Sequence, residues 1–390
     1  MSLQESPYIE YIAQRKRDDL TRSLVNCEHP GPGRISIDGR EYANFSTNDY
    51  LGLAHHPVVI ERVKEWADKY GAGSESSRLV TGNITPFHRV EQKIAKLKGA
   101  ESALIFPSGF QANASILQAL LNKQILGAAP LVFADRLNHA SMHFGCAAAG
   151  ARQIRYRHLD MDHLSQLLEK HKDNKAPKFF LTESVFSMDG DIAPMDVICD
   201  LARRYNCLTI CDDAHATGIL GENGKGLSGD ADIVVGTFSK AMGSIGAYVT
   251  SSNVIRDFLI HASTGLIYST ALPPMVLGAV DAALDLLPEL DKEREKVTSL
   301  AKSFRKKVKA LGFDTGGSAS QIVPVMAGES EKALLFSDRL KESGYWATAI
   351  RPPTVPKGTA RLRFTFCPAH DQRDIDGVVE VISRGTGHHV

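Results

Sequence analysis

Lys240 follows the apolar run IVVG and the short segment TFS, and AMG follows it. A lysine flanked in this way is poorly solvated. Desolvation favours the neutral amine, and a neutral amine attacks carbonyl carbon. Thr237 and Ser239 precede it with hydroxyls that suit a phosphate. Asp212 closes a second apolar run, LTIC, and Asp213-Ala214-His215 brings His215 back toward the same place. Ser108-Gly109-Phe110-Gln111 lies between a strand pattern and a helix pattern, where backbone N–H groups can cradle an anion. His139 lies just past a further strand end, where its ring could stack on a flat ligand.

Taken singly, each residue has an ordinary alternative. Lys240 could be a surface lysine, Asp212 a loop carboxylate or helix cap, and His139 a core or capping histidine. Taken together they are the parts that pyridoxal 5'-phosphate (PLP) requires. Those parts are an amine for a Schiff base, a carboxylate for the pyridine nitrogen, donors for the phosphate and a partner for the ring face.

The elements that must position these residues alternate strand and helix. Apolar runs at 102–108, 130–136, 178–184, 207–213 and 231–240 read as strands, and 111–123, 162–171 and 195–205 as helices. The alternation predicts an α/β fold with a mainly parallel central sheet covered by helices. Each strand turns polar at its carboxyl end, and open α/β sheets bind ligands beyond those ends. Segment 275–311 reads as a long helix broken near Pro288, followed by a smaller α+β C-terminal domain. The domains read as an N-terminal segment 1–45, a large domain 46–285 and a small domain 286–390.

Lys+Arg and Asp+Glu are both 45, so the formal net charge is zero, and no basic excess points to nucleic acid. No apolar run approaches the roughly 20 residues that span a bilayer. The N-terminus lacks an apolar leader core, and cytoplasm is the expected compartment. The six cysteines read as reduced, mostly buried thiols, with little weight for metal at Cys207 and Cys211. His139 and His143, four apart without a third ligand, read as structural, so no metal is expected. GAGSESS (71–77) lacks the third glycine of a dinucleotide loop, and GENGKGL (221–227) lacks the Ser or Thr of a phosphate-binding loop. Asn44, Asn83 and Asn113 begin chance glycosylation triplets.

Longer blocks add a resemblance. TFSKAMGS, ICDDAHATGILGENGKG, ESVFSMDGDIAP, NFSTNDYLGLAHHP, FPSGFQAN and DRLNHAS resemble segments of the α-oxoamine synthases, a family of fold-type I PLP transferases. The match runs over about residues 8–383. It implies Lys240 as Schiff-base lysine and α-carbon acid/base, and Asp212 on the pyridine nitrogen. It implies His215 on the phenolic oxygen, with Ser187 near it, and His139 on the ring face. Gly109, Phe110 and Thr237 would hold the phosphate, with Ser269 and Thr270 reaching it from the neighbouring subunit of a homodimer. Arg363, helped by Asn48, would bind the amino acid's carboxylate, and Arg22 and Thr354 would line the acyl-donor path. The block AIRPPTVPKGTARLRFTF resembles the member that condenses L-alanine with a pimeloyl thioester of CoA or acyl carrier protein.

Related synthases have glycine or alanine where this chain has Glu75, which is expected to face solvent or pair with Arg78. The competing readings are another α-oxoamine synthase with a different amino acid or acyl group, a plain aminotransferase, and a non-catalytic scaffold. The last predicts loss of Lys240 or Asp212, and both are present.

Overall fold

A computed structural model describes residues 4–18 and 20–384, and they form two compact units. One comprises residues 48–187 and 192–294; the other comprises 1–47, 188–191 and 295–390. The N-terminal segment therefore groups with the C-terminal part, and the division falls after residue 294, not 285.

The larger unit is built on seven strands: β1 (Ser102–Phe106), β2 (Leu131–Asp135), β3 (Gln153–Tyr156), β4 (Lys178–Glu183), β5 (Cys207–Asp212), β6 (Ile233–Thr237) and β7 (Ala247–Ser251). Their order is β1-β7-β6-β5-β4-β2-β3. β7 runs antiparallel to both neighbours, and the other pairings are parallel. β1, β6 and β7 are buried along their whole length, as a sheet covered on both faces requires. Helices α1 (Gly109–Leu120) and α2 (Ala140–Ala148) follow β1 and β2, and α1 packs Ala112, Ile116 and Leu117 into the core beside the sheet. The long helical segment divides at a 3-10 turn, Leu287–Glu289, between helices Pro274–Leu286 and Asp291–Ala310. Pro288 accounts for the break, because it has no N–H to continue the ladder.

β5 ends in two adjacent carboxylates with opposite surroundings. Asp213 is fully buried, accepts Lys98 Nζ at 2.6 Å, Thr217 Oγ1 at 2.7 Å and the Leu227 N–H at 3.0 Å, and also accepts the Ser184 hydroxyl. Burial disfavours the Lys98 cation, but the negative groups around it prevail, and its pKa is raised.

The smaller unit carries two three-stranded sheets. One joins Arg34–Ile37, Arg40–Asn44 and Tyr345–Trp346; the other joins Ile322–Gly328, Ala360–Thr365 and Thr348–Ile350. Phe45, Phe304, Phe336, Phe364 and Phe366 dominate its core. His370 stacks on Phe45 with ring centroids 4.3 Å apart.

Among the described residues no helix is long and apolar enough to cross a membrane, and no cluster of three or more His, Cys, Asp or Glu could hold a metal. His143 instead bonds Gln153 at 2.8 Å. All six cysteines are free, and Cys27 alone among them is exposed.

Two stability predictions follow from these contacts. Lys98→Met strands the Asp213 carboxylate, and denaturant unfolding should show a loss of about 3–5 kcal/mol. Burial pushes His370 down to about 4. An unfolded imidazole titrates near ~6.5, so the unfolded chain takes the proton first and stability falls as pH drops from there toward 4. The stability difference between His370→Asn and the parent should move in the variant's favour over that window.

Candidate active site

The carboxyl edge of the large sheet and the start of α1 enclose a cavity of about 230 Å³. Five connections supply its walls. After β1, Ser108 caps α1 by accepting the Gln111 N–H at 3.2 Å, which leaves the first N–H groups of that helix facing the cavity with Gly109 and Phe110. A Cβ placed on Gly109 would lie 3.7 Å from Thr237 Cβ, so the helix start and the Thr237 hydroxyl converge. That hydroxyl donates to the Gly246 carbonyl at 2.9 Å and lies 2.8 Å from Ser239 Oγ. Lys240, half-buried, lies three residues beyond the end of β6 and lines the same space.

Asp212 ends β5 at the opposite side. It is 7% exposed and accepts the Asn113 amide at 2.7 Å and the Ala214 N–H at 3.0 Å. The Asn113 amide also reaches Ser141 Oγ at 3.1 Å, and Ser141 Oγ lies 2.7 Å from His139 Nδ1. One hydrogen-bonded chain thus runs from Asp212 through Asn113 and Ser141 to His139. His139 caps α2 and lines the cavity, with its ring partly shielded from water. Loss of water around the ring lowers its pKa, Asp212 opposes the shift and Lys240 adds to it, so the neutral imidazole is favoured. His215 is buried and bonds the Tyr50 hydroxyl at 2.8 Å, which in turn donates to Asn48 Oδ1 at 3.2 Å.

The structure therefore brings together Lys240, Asp212, His215, His139, Gly109, Phe110 and Thr237 around one cavity. Asn48 is not among the residues that line it and bonds Tyr50. Ser187 lies in the loop after β4 and is not among the residues that line the cavity. Ser269 accepts the Gln111 amide, and Thr270 bridges to Ser77; neither lines the cavity.

Arg22, Thr354 and Arg363 belong to the smaller unit. Arg363 is buried on strand Ala360–Thr365. Arg22 donates to Thr354 Oγ1 at 3.0 Å, in a separate cavity of about 390 Å³. Arg22, Lys341 and Arg351 are the charged residues among its described lining, and no carboxylate is among them. Glu75 is exposed, with φ +64°. Arg78 is not its partner: Arg78 pairs with Glu91 and bonds Asn83 at 2.9 Å.

Asn113, which lines the cavity, and Ser141, which backs it, were not singled out by sequence reasoning, and Glu183 was read only as one of the polar strand ends. Asn113 lies one helical turn after Gly109, a spacing that puts it on the face of α1 that begins at the anion cradle. Ser141 carries no comparable signal, because its partner Asn113 comes from another element.

A half-buried amine, a donor-supplied carboxylate and a helix start paired with a hydroxyl suit PLP, and the fold and site define a PLP enzyme. Residues 40–382 match the family model described as aminotransferase class I and II. The 8-amino-7-oxononanoate synthase of Gluconacetobacter diazotrophicus is 47% identical over 96% of this chain and 95% of its own. The solved structure of SPT with PLP is 30% identical, with a TM-score of 0.91 over 99% of each chain. The 8-amino-7-oxononanoate synthase structure from Francisella tularensis is 29% identical, with a TM-score of 0.76 over 89% of this chain and 98% of its own. The chain belongs to the aminotransferase class I and II family and, within it, to the α-oxoamine synthases. It is a PLP-dependent acyltransferase.

Asn113→Leu removes one of the two donors to Asp212. PLP affinity should fall about ten- to a hundredfold, read from the absorbance of the bound cofactor. Asp212→Asn should keep the cofactor and raise the reaction barrier by at least ~3 kcal/mol, and an unchanged turnover number would refute the role assigned to Asp212.

Proposed function

We propose that the protein joins L-alanine to a pimeloyl thioester, releasing CO2 and free thiol, and so makes 8-amino-7-oxononanoate for biotin synthesis. Bound PLP would supply an electron sink for the carbanion at the amino acid's α-carbon. Lys240 takes the α-proton and returns one at the end. Asp212 holds the proton on the pyridine nitrogen, and the Asn113 and Ala214 donors keep its carboxylate in place. Gly109, Phe110 and Thr237 receive the phosphate, His139 covers the ring, and His215 and Ser187 serve its oxygen side. Arg363, with Asn48, binds the alanine carboxylate, for which a guanidinium offers two parallel donors.

The observation that most supports a dicarboxylic acyl chain is the cavity holding Arg22 and Thr354, lined by Arg22, Arg351 and a Lys341 that pairs with Asp338, with no carboxylate among its described lining residues. A free distal carboxylate needs such a counter-charge, and an alkyl chain does not. The exposure of Glu75 supports leaving it out of that recognition. The SPT likeness favours a second reading with serine and a longer acyl group, but 47% identity to an oxononanoate synthase against 30% to SPT argues for alanine and pimeloyl. The active form is a cytoplasmic homodimer in this reading, with Ser269 and Thr270 serving the neighbouring subunit's phosphate. Their place outside their own chain's cavity supports it.

Thiol release with L-alanine and pimeloyl-CoA, its methyl ester or octanoyl-CoA tests the assignment. Free pimeloyl-CoA should be preferred in the parent and in Glu75→Gly. Arg22→Ala should raise its KM about tenfold or more while leaving octanoyl-CoA unaffected. If the parent turns over octanoyl-CoA as well as pimeloyl-CoA, the biotin-pathway assignment fails. On sedimentation, a fully active monomer would exclude the shared site.

A further inference from the structure

Three carboxyl groups crowd the carboxyl edge of the sheet on β2, β4 and β5, and they differ in what faces them. Asp135 accepts the Leu137 N–H at 2.8 Å, the Leu159 N–H at 2.9 Å and bonds His158 Nδ1 at 2.9 Å. Asp212 has Asn113 and the Ala214 N–H. Glu183 has only the His139 backbone N–H near it as a donor, and its Oε1 is buried without a hydrogen-bond partner. Glu183 is 3% exposed, lines the cavity, and is the ladder partner of Asp212 on the adjoining strand. Neighbouring strands are about 4.8 Å apart, so two carboxylates at partnered positions on one face would repel strongly away from water.

Such a pair cannot both ionise, and the proton goes to the member with fewer donors. We propose that Glu183 is a positioning residue that keeps its proton, stands as a neutral group against the backbone of the His139 loop, and leaves Asp212 the negative charge of the pair. This rests on the reading of the cavity as a PLP site. The charged and titratable groups facing Glu183 are Asp212, Lys240, Asp135 and the His139 loop. Burial raises its pKa well above the usual carboxylate range, Asp212 reinforces the shift and Lys240 opposes it. A neutral acid here also explains the short reach of the network. The His139 ring is held by Ser141, which leads through Asn113 to Asp212, and Glu183 is the neighbour of Asp212 on the adjoining strand.

The test uses holoenzyme and three chains: parent, Glu183→Gln and Glu183→Leu. The first readout is the pH midpoint of the PLP–Lys240 absorbance, and the second is PLP affinity. Glutamine matches a protonated carboxyl in shape and charge. Its midpoint should stay within about 0.3 of the parent, with PLP affinity preserved. Removing a real negative charge beside Lys240 would instead lower the midpoint by about one unit or more, and that result overturns the proposal. Leucine keeps the bulk but loses the acceptor, so PLP affinity should drop about tenfold. A leucine variant that binds PLP as tightly as the parent overturns the positioning role. Should that variant fail to fold, the glutamine midpoint decides. A parent without any PLP chromophore on Lys240 would sink the cavity assignment and this proposal together. A normal parent chromophore with a displaced glutamine midpoint sinks this proposal only.

Discussion

A charge at the end of a dry strand is the constraint on which this molecule turns. Asp212 is carried to the carboxyl edge by β5, a strand whose last four residues are buried. A carboxylate there is tolerable only if donors replace the lost water. The Asn113 amide comes from α1 and the Ala214 N–H from the turn that follows the strand. The first donor ties the cavity-facing carboxylate to the same helix whose start lines the other end of the cavity. The distance between the two ends of the cavity is therefore set by one rigid helix and its packing on the sheet. Loops have little part in setting it.

The adjoining Asp213 shows the opposite solution to the same problem. It is sealed by a lysine, two hydroxyls and a backbone N–H, and nothing is left to face a ligand. One strand end thus yields an anchor and a working group in consecutive residues, because successive side chains leave it in different directions. The anchor holds the turn that carries Ala214 and His215. Rigidity in the structural carboxylate becomes precision in its neighbour.

Much of this was legible from residue order. The strands that end at Phe106, Asp135, Glu183, Asp212 and Thr237 are apolar and give way abruptly to polar residues, and that change placed the rim. The strand Gln153–Tyr156 was not legible. It is an edge strand with Arg155 exposed, so it lacks the apolar run that marks a covered strand. The link from Asn113 through Ser141 to His139 was equally hidden. Each bond joins different elements, and no spacing within one element encodes it. Arg78 makes the same point at short range. The carboxylate three residues before it was an expected partner, yet the guanidinium turns to Glu91 on the helix Thr85–Lys98, because a buried bidentate partner outcompetes an exposed one.

The smaller unit takes its residues from three separate stretches of chain: 1–47, 188–191 and 295–390. On the ribosome the amino-terminal stretch emerges first, yet its partners in Ile322–Gly328, Tyr345–Trp346 and Ala360–Thr365 are made last. Its β-hairpin alone is too small to be stable in water. The larger unit can settle as its strands emerge, since its residues end at 294. The beginning of the polypeptide must then remain unassembled through most of translation. A ribosome that stops short of the final hundred residues would release a chain whose large sheet can close but whose first residues have nothing to join.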